Sequence, residues 1–235
     1  MSKGSYIQLW MFNRVASKYD LFNKTASFFL DERWRARAVE GLKPAKNILD
    51  LCTGTGEMAL RLVSRVGSTT QVVGIDFSEK MLSLAQKKMR RRGYASRIQF
   101  LQTQAENLPF FDNSFDCVTN AFSMRNVVDN LEVVLREMHR VVKPKGKVII
   151  LELGKPESVY LRKIYYLYLQ FILPWYGLAL FGKKWPLLYL RSSIINFFSL
   201  QEFKEKLKKA GFQSVDYSPF TGGIAGVYIA IKPRA

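Results

Sequence analysis

Apolar residues fall in short β-branched runs separated by longer stretches of helical period, and the alternation holds from about residue 47 to the C-terminus. Short apolar runs bounded by turn residues read as strands, and apolar stripes at i, i+3, i+4 read as helices. The pattern predicts strands over 47–52, 71–75, 98–101, 115–121, 147–152, 214–217 and 227–231. Helices are predicted over 57–66, 78–92, 130–142 and 199–210. Ser78 and Ser199 stand where N-caps belong, Gly211 closes the last helix, and Pro144 and Gly146 follow the third. Strands alternating with helices require parallel pairing through crossovers, so the expected fold is α/β with a doubly wound, seven-stranded, mostly parallel sheet. A chain of this length builds it as one domain over 1–235.

Two segments stand outside the alternation. One is an N-terminal helical arm over 1–40; the other is an aromatic-rich insertion over 154–198, and both suit a lid over a substrate. Residues 164–181, IYYLYLQFILPWYGLALF, carry no charge and approach the length of a membrane span. Gln170, Pro174, Gly177 and the density of tyrosine argue instead for a hydrophobic lid or a shallow membrane contact. The opening residues hold no apolar run of signal-peptide length, so the expectation is a cytoplasmic protein, at most peripheral on the inner face of a membrane.

Net charge is +17, which favours an anionic partner, either nucleic acid or a phospholipid surface. The densest cluster, Lys87, Lys88, Arg90, Arg91 and Arg92, ends a predicted helix, where cations are stabilised by the dipole and a solvated face is the plain reading. Cys52 and Cys117 lie in or beside apolar runs without metal or redox spacing and read as buried free thiols.

Candidate chemistry gathers at residues 47–57, NILDLCTGTGE: a buried strand entering a glycine turn and then a helix, where a ligand can approach bare backbone. Asp76 closes the next strand, placed to accept the hydroxyls of an adenosine ribose. Gly54, Gly56 and Ala59 also satisfy a loose dinucleotide pattern. Asp50 decides against it, because a carboxylate there would repel a pyrophosphate but suits the cationic sulfonium and ammonium of S-adenosylmethionine. After the third strand, Gln104 and Ala105 stand where an adenine edge would be read, and Phe77 could flank the base; each is equally readable as an ordinary loop residue. The single histidine, His139, lies late in its helix, at the end remote from the strand C-termini, and reads as a surface or dipole residue rather than a base. No cluster suggests a metal.

Several further runs carry a family resemblance: Asp50-Leu51-x-x-Gly54-Thr55-Gly56, Gln104-Ala105-Glu106-x-Leu108-Pro109-Phe110, Phe122-Ser123-Met124-Arg125-Asn126-Val127 and Glu152-Leu153-Gly154-Lys155-Pro156. With the arm's Phe12-x-x-Val15-Ala16-x-x-Tyr19-Asp20-x-x-Asn23, Trp34, and Tyr189-Leu190-x-x-Ser193-Ile194, the chain resembles the quinone-biosynthesis C-methyltransferases over nearly its whole length. It departs from their pattern at Asp31 (usually histidine), Gln104 (asparagine or aspartate), Ala121 (serine), Gly154 (serine) and Phe198 (proline).

The resemblance implies a class I, Rossmann-like methyltransferase that uses S-adenosylmethionine on a ring carbon of a prenylated benzoquinol or naphthoquinol. By position, Thr55, Asp76, Gln104 and Ala105 would hold the cofactor, with Asp50, Thr53, Gly54, Gly56, Phe77 and Ala121 lining the same loops. Arg125 and Asn126 would face the acceptor ring, Arg125 stabilising a phenolate and Asn126 orienting its oxygen. Arg125 is otherwise an ion-pair partner for Asp129 or Asp116, and Asn126 a turn residue. Tyr19 is the third catalytic candidate; with Asp20 it either caps the site or packs the arm down. The alternative acceptors are another lipophilic small molecule or RNA, and nucleic acid is not the expected partner because the Asn/Asp-Pro-Pro-Tyr motif for exocyclic amines is missing.

Overall fold

The computed structural model of the protein describes residues 3–40, 42, 45–182 and 189–234. Its centre is a seven-stranded sheet in the order β3-β2-β1-β4-β5-β7-β6. The strands are β1 (Asn47–Leu51), β2 (Gln71–Asp76), β3 (Ile98–Gln102), β4 (Phe115–Ala121), β5 (Val142–Leu153), β6 (Ser214–Phe220) and β7 (Ala225–Ile231). Pairing is parallel except along β7, which runs antiparallel to both neighbours. Three helices form the arm, α1 (Lys3–Val15), α2 (Tyr19–Ala26) and α3 (Leu30–Ala38). Crossovers are α4 (Glu57–Arg65), α5 (Glu79–Arg91) and α6 (Leu131–Val141). The insertion holds α7 (Val159–Leu167), a π-helical turn (Tyr168–Ile172), α8 (Leu173–Phe181) and α9 (Tyr189–Ile195), and α10 (Leu200–Lys209) precedes β6.

Alternating strand residues feed two apolar layers, as the period of two requires. On one face Leu49, Val118 and Ile150 pack with Val134, Leu135 and Met138 of α6 and Phe203 of α10. On the other, Ile48, Val72 and Ile149 pack with Met58, Leu62, Met89 and the arm's Trp34. The sheet is therefore wound on both sides, as expected. Ser78 accepts a hydrogen bond from the Met81 N–H at 3.1 Å, and Ser199 with Glu202 forms a complete capping box.

β5 starts five residues earlier than the pattern predicts, since Val142 already pairs with Phe115 before a register shift. Lys145 takes a left-handed φ of 61°, and a side chain at Gly146 would meet the Lys143 carbonyl at 2.7 Å. That close approach lets the strand pass through a segment whose Pro144 and Gly146 read as a plain break.

The helix pair of the insertion is the one described segment long and apolar enough to cross a membrane, Val159–Phe181. One face packs inward, with Tyr165, Leu169 and Leu173 buried beside Phe22 of α2. Phe22 stacks on Tyr176 at 5.8 Å between ring centroids. Tyr160, Ile164, Leu167, Phe171 and Trp175 point outward along a common stripe. Lys183 and Lys184, which flank this run in the sequence, lie outside the described residues.

Candidate active site

Winding reverses between β1 and β4, the point where open α/β sheets bind ligands beyond their strand C-termini. The loop leaving β1 uses left-handed positions at three alternate residues: Cys52 (φ 54°), Gly54 (φ 56°) and Gly56 (φ 81°). Above Gly54 there is open space, with no atom within 4 Å of where a side chain would begin. Gly56 turns the other way, and a methyl group there would meet Met89 at 2.9 Å, so this glycine serves helix packing rather than the cavity.

Two buried carboxylates flank the loop. Asp50 accepts from the hydroxyls of Thr53 (2.6 Å) and Thr119 (2.8 Å). Asp76 accepts from the backbone N–H of Gly54 (2.8 Å) and of Ser78 (2.9 Å). Burial pushes each carboxyl up to about 6, against the opposing pull of those donors. Both are therefore acids that a nearby cation would stabilise in the ionised form.

Around them are two connected hollows. A cavity of about 100 Å³ is lined by Asp76, Phe77, Gln104, Ala105, Ala121 and Asn126 among others. Its aromatic wall is built edge to face, Phe12 against Phe77 (6.3 Å) and against Tyr19 (6.1 Å). A more polar hollow of about 40 Å³ is lined by Asp50, Thr53, Gly54, Thr55, Asp31 and Arg35 among others. Donor chemistry here, two buried acids beside an open glycine, fits a cationic ligand carrying a nucleoside and does not fit a pyrophosphate.

The arm closes over this region through hydrogen bonds. Asp20 accepts from the Thr55 hydroxyl (2.5 Å) and from Lys88 (2.7 Å), and Lys88 reaches Glu57 as well (2.5 Å). Gln8 donates to the Asn126 carbonyl at 2.6 Å, and Ser78 donates to Asn13 at 2.6 Å. The basic cluster at the end of α5 is thus only partly a solvated face. Lys88 was the residue the charge pattern hid, yet its spacing from Met81 and Ala85 places it on the edge of the buried stripe.

Beneath the arm and the insertion opens an apolar cavity of about 290 Å³. Phe22, Phe28, Leu161, Ile164, Tyr165 and Leu190 are among its walls, and Arg35 and Arg125 bring cations to its lining. Arg125 is paired with buried Glu152 at 2.6 Å, not with Asp129 or Asp116. Asp116 instead pairs with Lys143 and accepts the N–H groups of Lys46 and Asn47. The Nε of Arg125 is buried without a partner. Asn126 parts company with its neighbour: it faces the cavity lined by Asp76 and Phe77, and its Oδ1 accepts from the Tyr189 hydroxyl at 2.9 Å. Burial pushes the Tyr189 phenol up to about 12. Tyr19 and Phe122 line all three of these hollows.

Outside the site, His139 packs edge-on against Phe212 at 5.1 Å under Gly211, remote from the cavities. Cys117 is buried and its thiol is pushed up to about 12 by burial. Cys52 is only half-buried, because it lines both polar hollows. Sequence reasoning passed over Arg35 and Lys88: Lys88 finds its partners Asp20 and Glu57 far along the chain, and Arg35 pairs with Asp31 one helical turn away but covers the ring of the distant Phe122.

Sheet order, glycine loop and paired acids define an S-adenosylmethionine-dependent methyltransferase of the Rossmann-like class. The fold is shared with a solved S-adenosylmethionine-dependent methyltransferase from Aquifex aeolicus, at a TM-score of 0.59 and 24% identity over 81% of this chain and 84% of that one. The family model described as the ubiE/COQ5 methyltransferase family matches residues 2–232, and the chain belongs to that family. A ubiquinone/menaquinone biosynthesis C-methyltransferase of Geotalea daltonii is 42% identical over 98% of this chain and 97% of its own. A demethylmenaquinone methyltransferase of Bacillus velezensis is 38% identical over 94% of this chain and 95% of its own.

Proposed function

We propose that the protein methylates a ring carbon of a prenylated quinol, with S-adenosylmethionine as methyl donor. The observation that carries this reading is the meeting of the polar hollow with the large apolar cavity, which share Tyr19, Asn23, Asp31, Arg35 and Phe122 as walls. A water-soluble acceptor would have no use for such an apolar chamber, whereas each buried CH₂ of a prenyl tail contributes about 0.8 kcal/mol.

Asp76 would hold the ribose, Phe77, Gln104 and Ala105 the base, and Asp50, Thr53, Gly54, Thr55 and Ala121 the amino-acid end. When bound, the cofactor supplies a methyl group on a positively charged sulfur. The chain's part is to align a nucleophilic carbon with that methyl and keep water away. Arg125, held by Glu152 with its Nε free, would stabilise negative charge on the quinol oxygen. Asn126, held by the Tyr189 hydroxyl, belongs to the wall on the cofactor side, and Tyr19 sits between the two ligands.

The arm and the insertion act as the lid. Phe28 and Phe29, both left-handed (φ 53° and 60°) and exposed, project from the turn between α2 and α3, beside the outward stripe of α7 and α8. Such strain in bulky residues is kept where the surroundings impose it. Together with the surplus of basic residues this surface suits a peripheral contact with an anionic membrane from which a prenylated acceptor could enter. The test is to incubate the protein with methyl-labelled S-adenosylmethionine and prenylated benzoquinol or naphthoquinol. Label on a ring carbon of either supports the reading, and label on neither removes it.

A further inference from the structure

Asp31 is the only carboxylate among the described residues that lines the apolar cavity, and it lines the polar hollow too. It is 4% exposed, paired with Arg35 at 2.5 Å, and it accepts from the Ser27 hydroxyl at 3.0 Å. Arg35 is itself buried, lies over the Phe122 ring at 5.0 Å, and leaves its Nε without a partner. A charged pair in an apolar wall is costly to bury, and removing it in favour of apolar residues is often neutral or stabilising, so its presence at the junction of two ligand cavities calls for a chemical use.

Other acids near the junction are committed elsewhere. Asp50 is held by two threonines on the cofactor side, Asp20 by Thr55 and Lys88, and Glu152 by Arg125 and two backbone N–H groups. Tyr165 and Tyr189 keep their protons, since burial pushes both phenols up.

We infer that Asp31 is the proton acceptor of the methyl transfer, taking the hydrogen from the ring carbon that has just been methylated. This rests on the quinol reading above. As the ring carbon bonds to the methyl, the bond from methyl to sulfur breaks and its electron pair stays on sulfur. The ring carbon then carries both methyl and hydrogen. Its C–H bond breaks, the electron pair returns to the ring and restores aromaticity, and the proton passes to an Asp31 carboxylate oxygen. One proton is released per methyl transferred. Because rearomatisation drives the step, a carboxylate suffices, and the Arg35 ion pair and the Ser27 hydroxyl hold it in place.

The experiment compares acceptors carrying hydrogen or deuterium at the accepting ring carbon, with wild type, Asp31→Asn and Asp31→Glu. Wild type is expected to show a rate ratio near one. Asp31→Asn is expected to lose about 100-fold or more in turnover, the range of a lost general base, and to show a hydrogen/deuterium ratio well above one because proton loss has become limiting. Asp31→Glu should recover at least a tenth of the rate, while calorimetric affinity for S-adenosylmethionine stays within threefold in all three proteins. Collapse of that affinity in Asp31→Asn, or a slow variant whose isotope ratio stays at one, assigns Asp31 a structural role and overturns the inference. Failure of the wild-type protein to methylate any quinol overturns the reading beneath it.

Discussion

Two aspartates whose pKa is raised alike by burial do different work in this site, and both can be tested by pH. Asp50 and Asp76 titrate near 6 because burial opposes their ionised form. A cationic ligand binds the ionised form, so affinity is full above about pH 7 and falls as pH drops through 6, by about tenfold per unit for each carboxylate that must be charged. Calorimetry between pH 8 and 5 should show this decline for S-adenosylmethionine and a smaller one in Asp50→Asn; a flat profile contradicts the pairing. Asp76→Ala should cost about 1.5–3 kcal/mol of binding at pH 7.5, the range for hydrogen bonds to a charged group. Arg125→Ala leaves Glu152 buried without its cation and should cost about 3–5 kcal/mol of folding stability, measured by urea unfolding, besides any loss of turnover. At this scale the sequence declared the loop acids plainly, since Asp50 and Asp76 end strands that the pattern locates. It could not declare that Arg125 pairs with Glu152, 27 residues away, or that Asn126 faces a different cavity from its neighbour.

The elements that periodicity marks well are those with one buried stripe. α4, α5, α6 and α10 fall within a residue or two of their predicted limits, and Ser78 and Ser199 cap where expected. The first half of β5 escaped, because a register shift and a left-handed Lys145 carry a strand through residues that read as a break. The insertion is apolar on both faces, so the sequence marked a hydrophobic lid without showing which face lines the cavity. The arm is fastened by apolar packing of Phe22 and Trp34 and, over the cofactor loop, by polar contacts in which Asp20 joins Thr55 and Lys88. Asp20→Ala should therefore free α1 and α2 without melting the sheet. Hydrogen exchange should rise in residues 8–26 and stay unchanged in β1, β4 and β5, and S-adenosylmethionine should restore less protection than in wild type. Uniform loss of protection across the sheet would show that the arm is part of the core instead.

As a whole, the molecule joins a polar, acidic hollow to an apolar chamber whose outer rim is aromatic and exposed, on a chain of net charge +17. Each Lys or Arg near an anionic bilayer adds about 1 kcal/mol, an attraction that salt screens. The protein should float with anionic vesicles and be released at high salt. Replacing exposed Tyr160 and Trp175 by serine should weaken flotation while leaving S-adenosylmethionine affinity unchanged; flotation that survives both changes would place the contact elsewhere. The central claim is that the apolar chamber receives the acceptor's tail, and it is tested most directly by kcat/KM for quinols with and without isoprene units. Five buried carbons contribute about 4 kcal/mol at about 0.8 kcal/mol each, so one isoprene unit should raise kcat/KM by about three orders of magnitude. Equal kcat/KM for tailless and prenylated quinols would contradict the account.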